Sequence, residues 1–157
     1  MARVFIGLGS NQGDRPEHLS RALQALSAEP GVRVVQMATI IETAPVGGPP
    51  QGPYLNTAAE LDTTLEPSVL LSLLKRIERQ QGRQPQAERW SPRPIDLDLL
   101  LYDDRILQDA ALTIPHPRMH QRRFVLEPLA QLAPDVMHPL AQKTIRQLFA
   151  ECALSCA

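Results

Sequence analysis

Apolar positions along the chain follow two periods, one typical of strands and one typical of helices. Residues 4–9 form an apolar run typical of a buried strand, whereas residues 19–26 repeat apolar positions at helical spacing. Further strands are predicted at 32–42, 55–65 and 95–102, with a short return strand at 105–107. Further helices are predicted at 67–82, 121–132 and 143–153. This order favours an α+β domain of the ferredoxin-like type, an antiparallel sheet with helices packed on it.

Glycine and proline mark the ends of these elements. Pro30 and Gly31 end the first helix, and Gly82 closes the second. The apolar stripe of this second helix is predicted to consist of Val69, Leu70, Leu73, Leu74 and Ile77. The stretch 43–53 is dense in glycine and proline and predicts a loop, and 83–94 is too rich in proline for a long helix.

Length and composition exclude several classes of protein. The 157 residues fit one domain, which we place over residues 1–157, and can bury a core without disulfides. A formal net charge of −1 gives no general attraction to nucleic acid or anionic membranes. No apolar run reaches the roughly 20 residues that span a bilayer, and no secretion signal is visible. With Cys152 and Cys156 interpreted as reduced thiols, the expected location is cytoplasmic.

Two aspartates inside an apolar strand are the most informative feature of the sequence. Because side chains on a strand alternate between faces, Asp96 and Asp98 project from one face, about 7 Å apart. The other face is then expected to carry Leu97, Leu99 and Leu101. Two close carboxylates repel one another unless a cation joins them, and Mg²⁺ shares its oxygen ligands with substrate phosphates. A solvated acidic strand edge is the alternative, but aspartate is a poor strand former and favours a functional role here.

Basic residues are concentrated just before this strand although the whole chain is nearly neutral. They are Lys75, Arg76, Arg79, Arg83, Arg89 and Arg93. Arginine forks match phosphate oxygens in pairs, and we assign this role to Arg83 and Arg93. Arg76 and Arg79 are interpreted as a solvated helix face. A second polar cluster after the strand contains His116, His120 and Arg122. It could bind the phosphates from a second side of the site or supply a base.

The aromatic residues outside the periodic runs lie beside these polar motifs. Tyr54, Trp90 and Phe124 stand at junctions between loops and regular elements, where flat rings can stack on a heterocycle. Asn56 shares the face of Tyr54 if the strand has begun, and its amide offers a donor and an acceptor. Simple packing explains one such aromatic residue, whereas three of them beside charged motifs favour a ring-binding site.

Together these residues resemble the 6-hydroxymethyl-7,8-dihydropterin pyrophosphokinase family of folate biosynthesis over most of the chain. The matching segments are Gly9-Ser10-Asn11, Thr43-Ala44-Pro45, Tyr54-Leu55-Asn56, Gln81-Gly82-Arg83, Arg89-Trp90-Ser91-Pro92-Arg93 with Asp96-Leu97-Asp98, and Pro115-His116 leading to Arg122 and Phe124. The resemblance implies a ferredoxin-like fold with an ATP cleft. It also implies Mg²⁺-dependent transfer of the β,γ-pyrophosphoryl group of ATP to the pterin hydroxymethyl oxygen, with release of AMP.

The resemblance also implies roles for individual residues. The implied catalytic residues are Arg83, Arg93, Asp96 and Asp98, of which the two aspartates hold two Mg²⁺ ions. The implied pterin-binding residues are Thr43, Pro45, Val46, Tyr54, Asn56, Trp90 and Phe124, with Tyr54 and Phe124 sandwiching the ring. The implied nucleotide-binding residues are Glu78, Arg83, Arg89, Trp90, Arg93, Leu99, Thr113, His116 and Arg122. The implied partners are ATP and the reduced hydroxymethylpterin, bound by a monomer whose Arg83 loop closes over the phosphates.

Three positions depart from the family pattern. Ser91 stands where glycine is usual, and Pro85 and Ala111 stand where some members place arginine. Ser91 is still small enough to fit, whereas Pro85 and Ala111 affect two auxiliary phosphate contacts rather than the reaction. No dedicated general base is implied, because metal coordination acidifies the attacking hydroxyl.

Two binding modules are the alternatives to an enzyme. A non-catalytic, nucleotide-binding ferredoxin-like module predicts ATP binding without AMP formation. An RNA-binding α+β domain is disfavoured, since the charge is near neutral and no predicted strand carries paired aromatic residues. The sequence contains no P-loop motif, and residues 7–11 lack the full dinucleotide fingerprint and are interpreted as a strand-to-helix turn.

Overall fold

The computed structural model describes residues 1–44, 52–82 and 94–155. Its strands are β1 (Ala2–Ser10), β2 (Val32–Met37), β3 (Ile41–Thr43), β4 (Tyr54–Thr63), β5 (Asp96–Tyr102), β6 (Leu107–Gln108), β7 (Thr113–Ile114), β8 (Met137–His138) and β9 (Lys143–Thr144). Its helices are α1 (Arg15–Ala28), α2 (Pro67–Gln80), α3 (Arg123–Leu132) and α4 (Ile145–Ser155), with a 3-10 turn at Met119–Gln121. Within these ranges, none of the helices has the length and apolar character needed to span a bilayer.

The main sheet confirms the predicted fold class. Its strand order is β2-β4-β1-β5, β3 pairs with β4 on the same edge as β2, and all these pairings are antiparallel. Helix α1 connects β1 to β2, and α2 connects β4 to β5. This split β-α-β arrangement is the ferredoxin-like α+β fold.

Apolar side chains cover both faces of the sheet. On the back face, Ile6 and Leu61 lie in one core with Leu74 of α2, and this core also includes residues of α1. On the front face, Phe5 lies in a second core with Leu126 of α3 and Ile145 of α4. Each fully buried side chain of this kind contributes about 1.5–3 kcal/mol relative to an exposed one, so both layers hold the sheet in place.

The helix boundaries follow their local sequence. The Asp14 carboxylate caps α1 by accepting a hydrogen bond from the Glu17 N–H at 3.2 Å. Gly82 adopts a φ of +95° just beyond α2, as the predicted closing residue requires. One residue of the predicted α2 stripe is wrong, because Val69 is 51% exposed at the margin of the buried surface. The remaining stripe, Leu70, Leu73, Leu74 and Ile77, is buried.

The strand predicted over 32–42 is interrupted, forming β2 and β3 instead. The Thr39 N–H leaves the strand ladder and donates to the Gln131 side-chain oxygen of α3 at 3.0 Å. The Thr39 hydroxyl donates to the same oxygen at 2.6 Å. A side chain from a helix distant in sequence therefore replaces a strand partner, which local periodicity cannot reveal.

The predicted return strand at 105–107 does not pair with β5, because β6 pairs with β7 instead. The outer edge of β5 already has other partners. The Leu97 N–H donates to Glu78 of α2 at 2.7 Å, and the Leu100 carbonyl accepts from the His116 N–H at 2.9 Å. These contacts satisfy the edge that a return strand would have used.

A bulge in β5 corrects the predicted face of Leu101. Phe5 of β1 pairs with Leu101, whereas the next residue, Ile6, pairs with Leu99. Leu100 is therefore an extra residue, and it shares the front face with Leu101. Leu99 remains on the back face as predicted.

The last two helices begin two residues later than predicted. Residues Met119–Gln121 form the 3-10 turn before α3. The start of α4 has a capping box, in which the Gln147 N–H donates to Thr144 Oγ1 at 3.2 Å and the Thr144 N–H donates to Gln147 Oε1 at 2.8 Å.

Candidate functional site

The paired aspartates lie on the front face of the sheet, as strand alternation predicted. Asp96 pairs with Gly9 of β1 and Asp98 pairs with Gly7. Both carboxylates are half-buried. A Cβ atom built at Gly7 would lie 3.9 Å from Asp98 Cβ, so the bare β1 backbone leaves space beside the acidic pair. The two glycines lie within β1, and not in the strand-to-helix turn that their sequence suggested.

Tyr54 and Asn56 lie on the front face of the neighbouring strand, β4. Asn56 pairs with Gly9 of β1 and is 8% exposed. Its Nδ2 donates a hydrogen bond of 2.6 Å to Thr43 Oγ1 on β3. A Cβ atom built at Gly9 would lie only 2.9 Å from Asn56 Oδ1, so glycine is needed for this amide to lie across β1. The bond to Thr43 thus orients the amide, and Gly9 leaves the space that its oxygen occupies.

The start of α3 supplies an aromatic ring and a cation on the same side of the sheet. Phe124 is half-buried and packs against the front-face core. The Arg122 guanidinium carbon lies 5.7 Å from the centroid of the Phe124 ring, within the range of a cation–π contact. Tyr54 and Phe124 therefore come from different elements but face the same layer.

His116 lies along the outer edge of β5 near the acidic pair. Its Nδ1 accepts a hydrogen bond from the Arg118 N–H at 3.2 Å, which places the acceptor lone pair on this nitrogen. The pKa of His116 is lowered from 6.5 to about 4, mainly by burial and then by the positive charge of Arg122, with a smaller effect of Arg118, whereas Asp96 raises it. His116 is accordingly a neutral imidazole near pH 7 and lies within electrostatic reach of these charged residues.

We expect the His116 ring to titrate near pH 4, which NMR of the imidazole carbons can measure. Because its pKa is lowered from 6.5 to about 4, the unfolded chain binds more protons between these values. His116 therefore stabilises the folded state fully above pH 6.5, and this contribution is lost as the pH falls through 4. The variant His116→Asn should show a weaker decline in unfolding free energy across this window. A ring that titrates near 6.5 would contradict the burial of His116.

Three of the nucleotide-side residues named from the sequence, Glu78, Leu99 and Thr113, are described and lie around the outer edge of β5. Glu78 is 7% exposed, and its Oε2 accepts from the N–H of Leu97, the residue between the two aspartates. The Leu99 side chain is buried on the back face, so its backbone at this edge is the part available to a ligand. Thr113 is half-exposed on β7. Among the described residues, this edge therefore offers both backbone groups and side chains to a ligand.

Several predicted site residues lie outside the described residues. They are Pro45, Val46, Arg83, Arg89, Trp90 and Arg93, together with the departures Pro85 and Ser91. Ala111 is described and stands in an exposed turn, where its N–H donates to Asp109 Oδ1 at 2.8 Å. Arg76, interpreted from the sequence as a surface residue, pairs at 2.8 Å with Glu29, the residue that follows α1.

The donor set fits magnesium. Across the ranges that the structure describes, no group of three His, Cys, Asp or Glu side chains is arranged to hold a metal. Asp96 and Asp98 offer two carboxylates on one strand face. Mg²⁺ commonly takes one or two carboxylates and completes its shell with substrate phosphates and water. Hard oxygen donors of this kind suit Mg²⁺ better than softer metals.

The chain is similar to known proteins over most of its length. The family model for 7,8-dihydro-6-hydroxymethylpterin-pyrophosphokinase (HPPK) matches residues 5–134. A protein of Aquifex aeolicus named 2-amino-4-hydroxy-6-hydroxymethyldihydropteridine pyrophosphokinase is 36% identical over 154 residues, covering 98% of this chain and 94% of its own. A protein of the same name from Bacillus subtilis is 43% identical over 133 residues, covering 85% and 79%.

A solved structure extends the likeness to the fold. The crystal structure of Plasmodium falciparum HPPK-DHPS with pteroate matches with a TM-score of 0.74 at 14% sequence identity. The match covers 96% of this chain and 42% of that chain. The present chain therefore spans less than half the length of that protein.

Proposed function

The chain belongs to the 7,8-dihydro-6-hydroxymethylpterin-pyrophosphokinase family, and we propose that it transfers pyrophosphate from ATP to 6-hydroxymethyl-7,8-dihydropterin. It is thus a pyrophosphokinase of folate biosynthesis. The finer proposal is that the reaction depends on Mg²⁺, with two ions bound beside ATP, and that AMP is the nucleotide product.

One observation carries this proposal: the acidic pair and the Asn56 amide lie on the same sheet face and are separated by two glycines of β1. Asp96 and Asp98 stand on one side of this bare strand, and Asn56 stands on the other. A flat heterocycle held at Asn56 would have its substituent directed over β1 towards the carboxylates. This is the geometry needed to bring an acceptor hydroxyl to a metal-bound phosphate chain.

The residues on the β4 side suit a pterin ring. The amide of Asn56 presents an acceptor and a donor, and its bond to Thr43 leaves the amide pre-oriented. Tyr54 and Phe124 provide rings on two elements of the same side, which can exclude water from a bound heterocycle. Each of these contacts positions the substrate without taking part in bond breaking.

The residues on the β5 side suit the nucleotide and its phosphates. Asp96 and Asp98 would hold Mg²⁺, which when bound neutralises phosphate charge and lowers the pKa of the attacking hydroxyl. The hydroxymethyl oxygen gives up its proton to water and forms a bond to the β-phosphorus, as the bond from that phosphorus to the bridging oxygen breaks and AMP leaves with that oxygen. Arg122 and the neutral His116 are proposed to interact with the negative charge of the phosphates. Arg83 and Arg93 are proposed from the sequence to bind the phosphates as well.

The assay that tests this function combines purified protein with Mg²⁺, ATP and the reduced hydroxymethylpterin. AMP and pterin pyrophosphate in equal amounts support the proposal. Formation of ADP would indicate ordinary kinase chemistry instead. ATP binding without any product would indicate a non-catalytic nucleotide-binding module.

Replacement of Gly9 by alanine should weaken pterin binding about tenfold, which corresponds to about 1.4 kcal/mol. The added methyl would lie 2.9 Å from Asn56 Oδ1, and the amide cannot move away without losing its bond to Thr43. The measurement is the pterin dissociation constant in the presence of a non-hydrolysable ATP analogue. Gly7→Ala is a matched control, since its methyl meets no atom closer than 3.6 Å. Equal losses in both variants would argue against the role of Gly9.

A further inference from the structure

Arg15 joins α1 to both strands that carry the proposed pterin contacts. Its Nη1 donates to the Pro53 carbonyl oxygen at 2.8 Å, one residue before β4 begins. Its Nη2 lies 3.3 Å from the Glu42 carboxylate in the middle of β3. A single guanidinium therefore links β3 to the residue that precedes β4.

The strand β3 has little other support. It contains three residues, and within the described ranges β4 is its only strand partner. Thr43 faces the front and bonds to Asn56, so strand alternation directs the neighbouring Glu42 to the back. Arg15 therefore acts from behind the sheet, on the side opposite to the substrate.

The position of Arg15 in its own helix is unfavourable. It is the first residue of α1, where the helix dipole disfavours a positive charge. The adjacent Asp14 cap and Glu17 have the charge that this end prefers. A cation that opposes the local preference and bonds outside its helix indicates a role in tertiary positioning.

The two contacts of Arg15 differ in strength. The Glu42 side chain is 56% exposed, and an ion pair of this kind contributes little. The bond to the Pro53 carbonyl also lies at the surface, but at 2.8 Å it is shorter than the 3.3 Å contact with Glu42, it is charge-assisted, and its acceptor belongs to the backbone. The Pro53 contact therefore dominates, and it fixes the backbone immediately before Tyr54.

We propose that Arg15 is a positioning residue for the pterin subsite, holding the β3–β4 pair so that Thr43, Tyr54 and Asn56 keep the arrangement that binds the ring. Arg15 does not itself contact the substrate. This inference rests on the proposed function, because the subsite is the one assigned there to the pterin.

The test is the variant Arg15→Ala in the full chain. The dissociation constant of reduced hydroxymethylpterin, measured with Mg²⁺ and a non-hydrolysable ATP analogue present, should rise about tenfold, equivalent to about 1.4 kcal/mol. The dissociation constant of the ATP analogue alone and kcat at saturating pterin should each change less than about twofold. Arg15→Lys should restore part of the pterin affinity, because a lysine can reach one partner but lacks the fork for both.

Arg21→Ala is the matched control, since Arg21 lies on the same helix, is 61% exposed and, among the residues that the structure describes, forms its ion pair locally with Glu17. It should leave both affinities unchanged. Glu42→Gln should alter pterin affinity less than Arg15→Ala does, because the exposed ion pair is the weaker contact.

The outcomes separate this inference from the proposed function. An unchanged pterin affinity in Arg15→Ala, or equal losses for pterin and the ATP analogue, overturns the inference. If the alanine variant does not fold, Arg15→Met keeps the apolar stem and is judged by the same criteria. A parent protein that binds pterin but forms no AMP overturns the proposed function alone, while a parent that binds no pterin overturns both.

Discussion

Replacement of Asp98 by alanine should lower the rate of AMP formation at least about a thousandfold, because a metal contact supplies several kcal/mol and each 1.36 kcal/mol is tenfold. Asp98 is half-buried on the front face opposite Gly7, so its truncation leaves no core cavity. Pterin affinity should change less than about twofold, since Tyr54 and Asn56 stand on another strand. The measurement is AMP release over a range of Mg²⁺ concentrations at saturating substrates.

A carboxylate outside the site controls for the loss of charge. Asp104 is exposed in the turn that follows β5, and Asp104→Ala should retain the parent rate. An Asp98→Ala protein with the parent rate at every Mg²⁺ concentration would show that the acidic pair does not hold the metal.

Replacement of Glu78 by alanine should lower the free energy of unfolding by about 2 kcal/mol, the cost of leaving a buried N–H without its acceptor. The affected N–H belongs to Leu97, which lies between the two metal-binding candidates and bonds to Glu78 at 2.7 Å. Because β5 would lose a hydrogen bond that positions its backbone between the two aspartates, turnover should fall about tenfold or more even at saturating Mg²⁺. Urea unfolding and AMP release measure the two effects separately.

The variant Glu78→Gln separates hydrogen bonding from charge. Its amide oxygen can still accept from Leu97, so the loss of stability should be smaller than in Glu78→Ala. Glu66→Ala is the surface control, because Glu66 precedes the same helix with a side chain that is 72% exposed. Full stability in Glu78→Ala would contradict the proposed role of this contact.

The main elements of the fold could be predicted because each has its own apolar period. The run at 4–9 lies within β1, and the stripe that includes Leu70 and Ile77 is the buried side of α2. The acidic pair could be predicted for the same reason, since Asp96 and Asp98 interrupt an apolar strand at alternate positions. These signals are local and need no knowledge of neighbouring elements.

The predictions failed where a partner distant in sequence competes with local pattern. Gln131 of α3 takes the N–H of Thr39 and so ends the strand predicted through that residue. The extra residue Leu100 moves Leu101 to the front-face core, although simple alternation placed it at the back. In both cases the deciding contact lies on another element.

By itself, the sequence determined the ferredoxin-like order of elements and the position of two carboxylates on one strand face, because hydrophobic period and strand alternation act over a few residues. Only the tertiary structure decided that Gly9 makes room for Asn56, that Glu78 holds the edge of β5, and that Arg15 links α1 to β3 and β4. Such contacts depend on which elements become neighbours when the sheet assembles. The spacing of residues along the chain does not contain that information.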